Sequence, residues 1–599
     1  MQRLSLTAGA LLMACNAILG IDDGYHKVDG TGGGAGRANG GSGATSGKNG
    51  AGATSGSSGS SGTNGGTGGT GNAGNAGMSS IGQAGDGEAG NGDATGRGGS
   101  GAAGSGGSGA TETGGSGGNG ATGGTGGSSA GKGGTGGDIG QGGQDNPPVV
   151  ESALVTSAVG AYWQTATWTE STNAATLTVN DTVVAQDWEG FGMAFTEAGA
   201  DNLMALTPAK QQQVLNLLFG TDGAHFAWGR IPVGANGYAL SRYTEDETAG
   251  DTALAGFSIA RDKQVLLPFI KAAHTANPAL RFWASAWTPP TWMKDNADFD
   301  GGHLKGDAAT MTAYASYFVK FVEAYAAEGI HIELVAPQAE PSYAQAYPSC
   351  QWTPDMMLAF IGNYLGPALN GSNVDVSVML GNFSDDASGT DPSIVQSVMG
   401  SPSARSYVKV LGYEWTMLSQ VANDDSYGLP IWQTEHKAGN YPWNPQGYPS
   451  YATVAPNDLA YAVESWGLIR QWIAAGVTEY NAWHAVLDKV GLGLDTERVW
   501  AQNSLITIDR NADSYAVTPT FYVFRHFSQF VEPGAKVVGT SGGSNALAFK
   551  NPDGSLVAVM YNPGGATTYT VAIGGKKLDF AMPAAGWATL KLANSASSR

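Results

Sequence analysis

The chain is poor in cysteine, basic side chains and paired histidines, and each shortage narrows what it does. Of its 599 residues only two are Cys, Cys15 and Cys350. Two thiols build neither a disulfide framework nor a four-thiolate zinc site. The eight His are scattered, without His-Glu-x-x-His or any His pair at ligand spacing. No catalytic metal and no other cofactor is therefore expected. Thirty Lys and Arg stand against fifty Asp and Glu, a formal net charge of −20. Phosphate backbones attract the opposite sign, so no nucleic-acid partner is expected. A soluble protein acting on a neutral or weakly charged substrate fits better.

The composition is also uneven. Most of the 93 Gly lie before residue 145, and all 16 Trp lie at or after Trp163. Residues 30–144 are Gly, Ser, Thr, Ala and Asn with few large apolar side chains. Such a tract buries too little apolar surface to offset its chain entropy and is expected to be disordered. Gly does not recur strictly at every third position, which excludes collagen. As a flexible coil it would reach roughly 55–65 Å, the length of a tether. Before it, residues 4–13 form a short apolar run after Arg3, the size of a signal-peptide core and well below a membrane span. Leu12-Met13-Ala14-Cys15 resembles a bacterial lipoprotein cleavage box. That reading gives a signal segment at 1–15, a linker at 16–149, and an exported protein held to a membrane by lipid on Cys15. An ordinary signal peptide that happens to contain Cys is the alternative. Cys350 then stands alone and suits a small buried core position.

From residue 150 onward the sequence can build a large domain with a smaller companion. Leu177, Val179, Val183 and Val184 mark alternating strands at 175–188. Then a beat sets in. Apolar runs at 190–195, 227–233, 281–287, 332–337, 374–380, 408–415, 429–434 and 477–483 alternate with stretches of helical spacing. Thr207-Pro208 offers a hydroxyl cap and a first-turn Pro for a helix to 218. Residues 307–327 repeat Tyr314, Tyr317, Phe318 and Phe321 at three and four. Residues 457–475 make a third helix. Eight strands each followed by a helix suit a closed (β/α)8 barrel over 189–516. A doubly wound open sheet would usually carry a Gly-rich phosphate loop, which is absent. Residues 535–592 alternate about an Asn551-Pro552-Asp553-Gly554 turn. With the early strands they predict a β-sandwich from 150–188 and 517–596.

Barrel enzymes place their chemistry at the C-terminal ends of the strands. Glu340 and Glu435 stand after the fourth and seventh runs. Glycosidic cleavage needs one carboxylic acid to protonate the leaving oxygen and one carboxylate on the other side of the sugar; retaining enzymes hold the two about 5–5.5 Å apart. Trp287, Trp292, Trp415, Trp432 and Trp483 sit at or just past strand ends and could supply aromatic walls for sugar rings.

A set of motifs in fixed order then becomes recognisable. They are Gly190-Phe191-Gly192-Met193-Ala194-Phe195-Thr196-Glu197, Arg230-Ile231-Pro232-Val233-Gly234, and Ala284-Ser285-Ala286-Trp287-Thr288-Pro289-Pro290-Thr291-Trp292-Met293-Lys294. Gly302-His303-Leu304-Lys305, Glu340-Pro341-Ser342, Tyr347-Pro348 and Trp432-Gln433-Thr434-Glu435-His436 follow. Together they resemble glycoside hydrolase family 30, the group of glucosylceramidases and β-1,6-glucanases. The resemblance implies a (β/α)8 barrel with a side β-sandwich, and retention at β-linkages. It implies Glu340 as acid/base and Glu435 as nucleophile, with Glu197, Trp287, Tyr347 and Trp483 lining the sugar site. Two positions depart from the pattern. Ala339 replaces the usual Asn before the acid/base, which in the family holds the sugar 2-hydroxyl. Another residue makes that contact, the substrate differs at C2, or the enzyme is slow. Glu414, ending the sixth run, stands where glucosylceramidases have His. It binds a hydroxyl or partners an Arg or Lys. The expected activity is a retaining β-glycosidase acting outside the cell on β-linked glycans or glycosides. A glucosylceramidase, and a carbohydrate-binding protein with weak or lost catalysis, are the alternatives.

Overall fold

The computed structural model describes residues 152–384, 388–436, 459–497, 501–543 and 545–594. The signal segment, the lipid-anchor Cys15 and the linker lie outside the described residues.

Eight parallel strands close into a barrel. They are β1 (Gly190–Ala194), β2 (Trp228–Val233), β3 (Arg281–Ala286), β4 (Ile332–Ala336), β5 (Ser377–Phe383), β6 (Val408–Glu414), β7 (Ile431–His436) and β8 (Glu479–His484). Six of them are buried along almost their whole length, as parallel strands covered by helices must be. The strand pattern matches the sequence expectation, with shifted ends. The fifth strand was expected at 374–380 and the seventh at 429–434. Both run two or three residues further, because the strand tails carry Gly381, Asn382, Glu435 and His436 into the barrel mouth. Polar residues there look like loop in sequence and are strand in space.

The barrel interior is layered. Trp228, Trp283, Leu334, Met379, Val410 and Trp432 fill its lower part as one apolar cluster. Trp228 and Trp432 meet edge to face at 4.7 Å between centroids. Two residues further along the second and third strands, the period-two alternation brings Arg230 and Ser285 to the upper layer, where they are hydrogen-bonded.

The expected helices form at Pro208–Phe219, Ala308–Ala327 and Leu459–Ala475. Asp307 caps the second, accepting from Thr310 N at 3.0 Å. Thr207 does not cap the first. Its hydroxyl turns to Asp513 instead, 3.2 Å away.

A ten-stranded sheet, formed by strands from 153–188 and 535–592, folds over its own apolar cluster. Its long strand Leu177–Trp188 runs beside both Ala535–Ser541 and Thr567–Ile573. Val183 and Val184, which mark this strand in the sequence, are 52% and 54% exposed. Asn180 pairs with Gly539 and Val184 with Val538, so the three residues between them bulge out of register. The sandwich was expected to resume at residue 517. Thr518 instead caps a helix, Pro519–Ser528, accepting from Phe521 N at 3.2 Å. That helix is the seam. Phe527 packs on Phe191 of β1, and His526 Nδ1 meets Thr589 Oγ1 at 2.8 Å. Sandwich strands restart at Ala535. Among the described residues, no helix is long and apolar enough to cross a membrane.

Candidate active site

The mouth of the barrel opens into a cleft of about 530 Å³. Glu340 and Glu435 both line it, with Trp287, Tyr347, Trp415 and Trp483. The strand ends position both carboxylates. Glu340 lies four residues past β4, where the backbone continues sheet-like bonding: Ala339 N donates to Ala286 O at 2.7 Å and Glu340 N to Asn382 O at 2.9 Å. Its φ is +50°, and that of Trp415 is +48°. A residue with a Cβ pays about 1–3 kcal/mol to sit in this left-handed region, which is found mostly where a side chain must be aimed.

The two carboxylates have different surroundings. Glu340 is half-buried and accepts hydrogen bonds from two neutral hydroxyls, Tyr347 at 2.8 Å and Ser384 at 3.3 Å. Glu435 is only 6% exposed and is held by Arg230, whose Nη1 lies 2.5 Å from Oε2. Burial pushes the Glu435 carboxyl up to about 7, against the downward pull of Arg230 and with the push of Glu340. Arg230 is fully buried on β2. Its Nε donates to Ser285 at 2.9 Å, its Nη2 to Asn382 at 3.3 Å, and its guanidinium lies 4.3 Å from the Trp287 ring centroid. Every arm of the fork is engaged, so its contact with Glu435 is geometrically fixed.

Trp287 and Trp483 stack on one side at 5.8 Å and 27°. They form an apolar cluster with Tyr238 and Ala339. Gln338 fastens this wall by donating to the Trp287 carbonyl at 2.7 Å. Ala339 is thus packed among aromatic rings at the place where the sequence pattern led one to expect a polar contact. His484 sits beneath, hydrogen-bonded to Gln502 at 2.6 Å and pushed down to about 3 by burial, so it stays neutral.

Two expected site residues do not line the cleft. Glu197 is buried and off the cleft wall. Its carboxylate accepts Arg261 Nε at 2.8 Å, Arg261 Nη2 at 2.7 Å and Leu240 N at 2.8 Å. Glu197 opens the helix Glu197–Met204 and ties that helix to the segment carrying Leu240 and Arg261. Glu414 is at the mouth but fully buried beneath the cleft surface, 4.0 Å from Arg230 Nη1. The charges beside it are Glu435 and Arg230. Of the candidate aromatic walls, Trp432 belongs to the floor and Trp292 packs outside the mouth, donating to Asp246 O at 3.0 Å. Cys350 is buried and free, and burial pushes its thiol up to about 12. Asn382 and Ser384 were not singled out from sequence, and Arg230 entered only as the head of a motif, without a role. Arg230 had a signal: it is the lone charge inside the apolar strand Trp-Gly-Arg-Ile-Pro-Val. Among the described residues, no group of three or more His, Cys, Asp or Glu is arranged to hold a metal ion.

Comparison with known proteins gives the relationships. Residues 188–531 match the Glycosyl hydrolase family 30 TIM-barrel domain, and 534–590 match the Glycosyl hydrolase family 30 beta sandwich domain. Putative glucosylceramidase 4 of Caenorhabditis elegans is 31% identical over 430 residues, covering 68% of this chain and 80% of that protein. An endo-1,6-beta-D-glucanase of Aspergillus fumigatus is 30% identical over 427 residues, covering 66% and 82%. Among solved structures, SrfJ from Salmonella typhimurium superposes with a TM-score of 0.65 at 21% identity, covering 74% of this chain and all of that one. At that identity the superposition speaks for the fold alone.

Proposed function

This chain belongs to glycosyl hydrolase family 30 and is an O-glycosyl hydrolase, and we propose that it cleaves β-linked glycans or glycosides with retention, outside the cell. Glu435 attacks the anomeric carbon while Glu340 protonates the departing oxygen. A glycosyl ester forms on Glu435. Glu340, now a carboxylate, takes a proton from water, and that water breaks the ester. The proton count closes, since Glu340 ends protonated and Glu435 ionised.

The observation that carries this reading is the contrast between the two carboxylates in one cleft. An acid/base gives a proton to the leaving oxygen and takes one from water in each turnover, and Glu340 is half-buried with neutral hydroxyl partners. An attacking carboxylate needs a fixed direction and a cation beside it, and Glu435 has Arg230. Trp287 and Trp483 offer apolar faces to the C–H face of a sugar ring.

The test is to incubate the full chain with 4-nitrophenyl β-D-glucoside, galactoside, xyloside and N-acetylglucosaminide, and with β-1,6-glucan and glucosylceramide. Cleavage of one, lost in Glu435→Ala, is the expected result. No cleavage by folded protein of any of the six would overturn the β-glycosidase assignment. For the location, Leu12-Met13-Ala14-Cys15 supports lipid anchoring at Cys15. Incorporation of labelled palmitate that disappears in Cys15→Ser is expected; equal labelling of both would contradict it.

A further inference from the structure

Glu414 is the buried ionisable group that the reaction above leaves idle. It ends β6, is 0% exposed, and is the register partner of Glu435 on the neighbouring β7. Neither of its oxygens meets a donor in the protein, and the side chain it does meet is the Glu435 carboxyl. Arg230 Nη1 is 4.0 Å from it, beyond hydrogen-bond range, because that nitrogen is already on Glu435. The charged groups facing Glu414 are therefore Glu435, Arg230 and, across the cleft, Glu340.

Two carboxylates side by side away from water do not both ionise, and one cation does not neutralise two. A single proton resolves the arrangement. It turns an unpaired contact between two acceptors into an O–H donor facing an acceptor, which is the contact available between Glu414 and Glu435. Arg230 donates to Glu435 and not to Glu414, so the ionised form is favoured on Glu435 and the proton on Glu414.

We propose that Glu414 is a positioning residue that keeps a proton and donates it as a hydrogen bond to Glu435, so that Arg230 and Glu414 together fix the attacking carboxylate. This rests on Glu435 being the nucleophile. Glu414 itself touches no substrate. When Glu435 is esterified, the same O–H faces the ester, and when the sugar leaves it stabilises the carboxylate that re-forms. Burial, then the neighbouring Glu435, holds the Glu414 carboxyl well above the usual carboxylate range, which agrees with the geometry.

The test uses the full chain as wild type, Glu414→Gln and Glu414→Leu. The first readout is infrared difference spectroscopy at pH 8, wild type minus Glu414→Gln, which needs no turnover. A carbonyl stretch of a protonated carboxylic acid present in wild type and missing in Glu414→Gln is expected; its absence would overturn the proposal. The second is hydrolysis of the 2,4-dinitrophenyl glycoside of the sugar cleaved in the panel above. Its leaving group needs no acid, so Glu340 drops out of the first step. Glu414→Gln keeps a donor and should retain kcat/KM within about threefold at pH 8, without the decline at higher pH expected of wild type as Glu414 loses its proton. Glu414→Leu lacks a donor and should lose about ten- to a hundredfold with KM little changed. A Glu414→Leu variant with the wild-type pH profile and rate would refute the role. A wild type that cleaves no glycoside would refute the nucleophile assignment instead, and the infrared band would still decide where the proton is.

Discussion

Replacing Arg230 separates a structural ion pair from one that sets the chemistry. Arg230→Met keeps the length of the buried side chain and removes its charge and its fork. With Arg230 present, Glu435 titrates at about 7. An opposite charge in direct contact typically holds a carboxyl down by about 1–3 pH units, or about 1.4–4 kcal/mol. Without it, Glu435 should titrate between about 8 and 10. At pH 7 the ionised fraction then falls from about a half to between a tenth and a thousandth, so kcat/KM drops about five- to five-hundredfold. The acid limb of the pH profile moves upward by the same interval, and activity returns as the pH is raised. Arg230→Lys restores a point charge without the fork that also reaches Ser285 and Asn382. Its acid limb should fall between those of the other two. The assay is the pH dependence of kcat/KM for the three proteins, with thermal unfolding as the check on folding. An Arg230→Met enzyme whose acid limb stays at the wild-type pH would refute the idea that Arg230 sets the charge of Glu435.

Three further outcomes are expected. Glu435→Ala, inactive with water, should be rescued by azide to give the α-glycosyl azide, whereas Glu340→Ala with an activated substrate should give the β-azide. Interchanged products would exchange the two roles. Glu435 has its carboxyl raised from 4.5 to about 7 on folding, so its contribution to stability is full below pH 4.5 and is lost as the pH rises through 7. Glu435→Gln should therefore match wild type in thermal stability near pH 4.5 and exceed it at pH 8 by roughly 3 kcal/mol; a constant difference across that range would contradict the burial account. In Gly192→Ala the new methyl would collide with Asn481 Oδ1 and come within 2.7 Å of Glu479 Oε1 inside the barrel. That should cost about 1–3 kcal/mol of unfolding free energy, read by denaturant titration, and an unchanged midpoint would show the barrel interior to be looser than described.

Much of the barrel was legible because parallel strands covered on both faces read as continuous apolar runs, and eight such runs alternate with helical spacing. The strand ends were less legible. Glu435 lines the cleft and Asn382 holds Arg230 beneath it, and the sequence presents that polarity as the end of an element. In the long strand, residues 181–183 leave the ladder beside Val184 and both valines are exposed, and nothing in the alternation announces it. Glu340 and Glu435 stood out as acids closing apolar runs. Arg230 is equally exceptional within its strand, and asking why a charge sits there would have found it. Glu197 belongs to a recognisable motif, yet its carboxylate holds Arg261 and does not line the cleft. Motif membership fixed its place along the chain and not the direction of its side chain. Ser384 and Tyr238 are ordinary polar and aromatic residues whose roles come only from what the closed barrel brings beside them.

The central claim is double displacement on Glu435, and proton NMR of the first product tests it most directly. The enzyme is mixed with the glycoside cleaved in the panel, and the anomeric proton of the released sugar is followed before mutarotation. The account predicts the β-anomer first, with the α-anomer growing in later. Release of the α-anomer first would mean a single inverting displacement and would contradict the assignment of Glu435 as nucleophile.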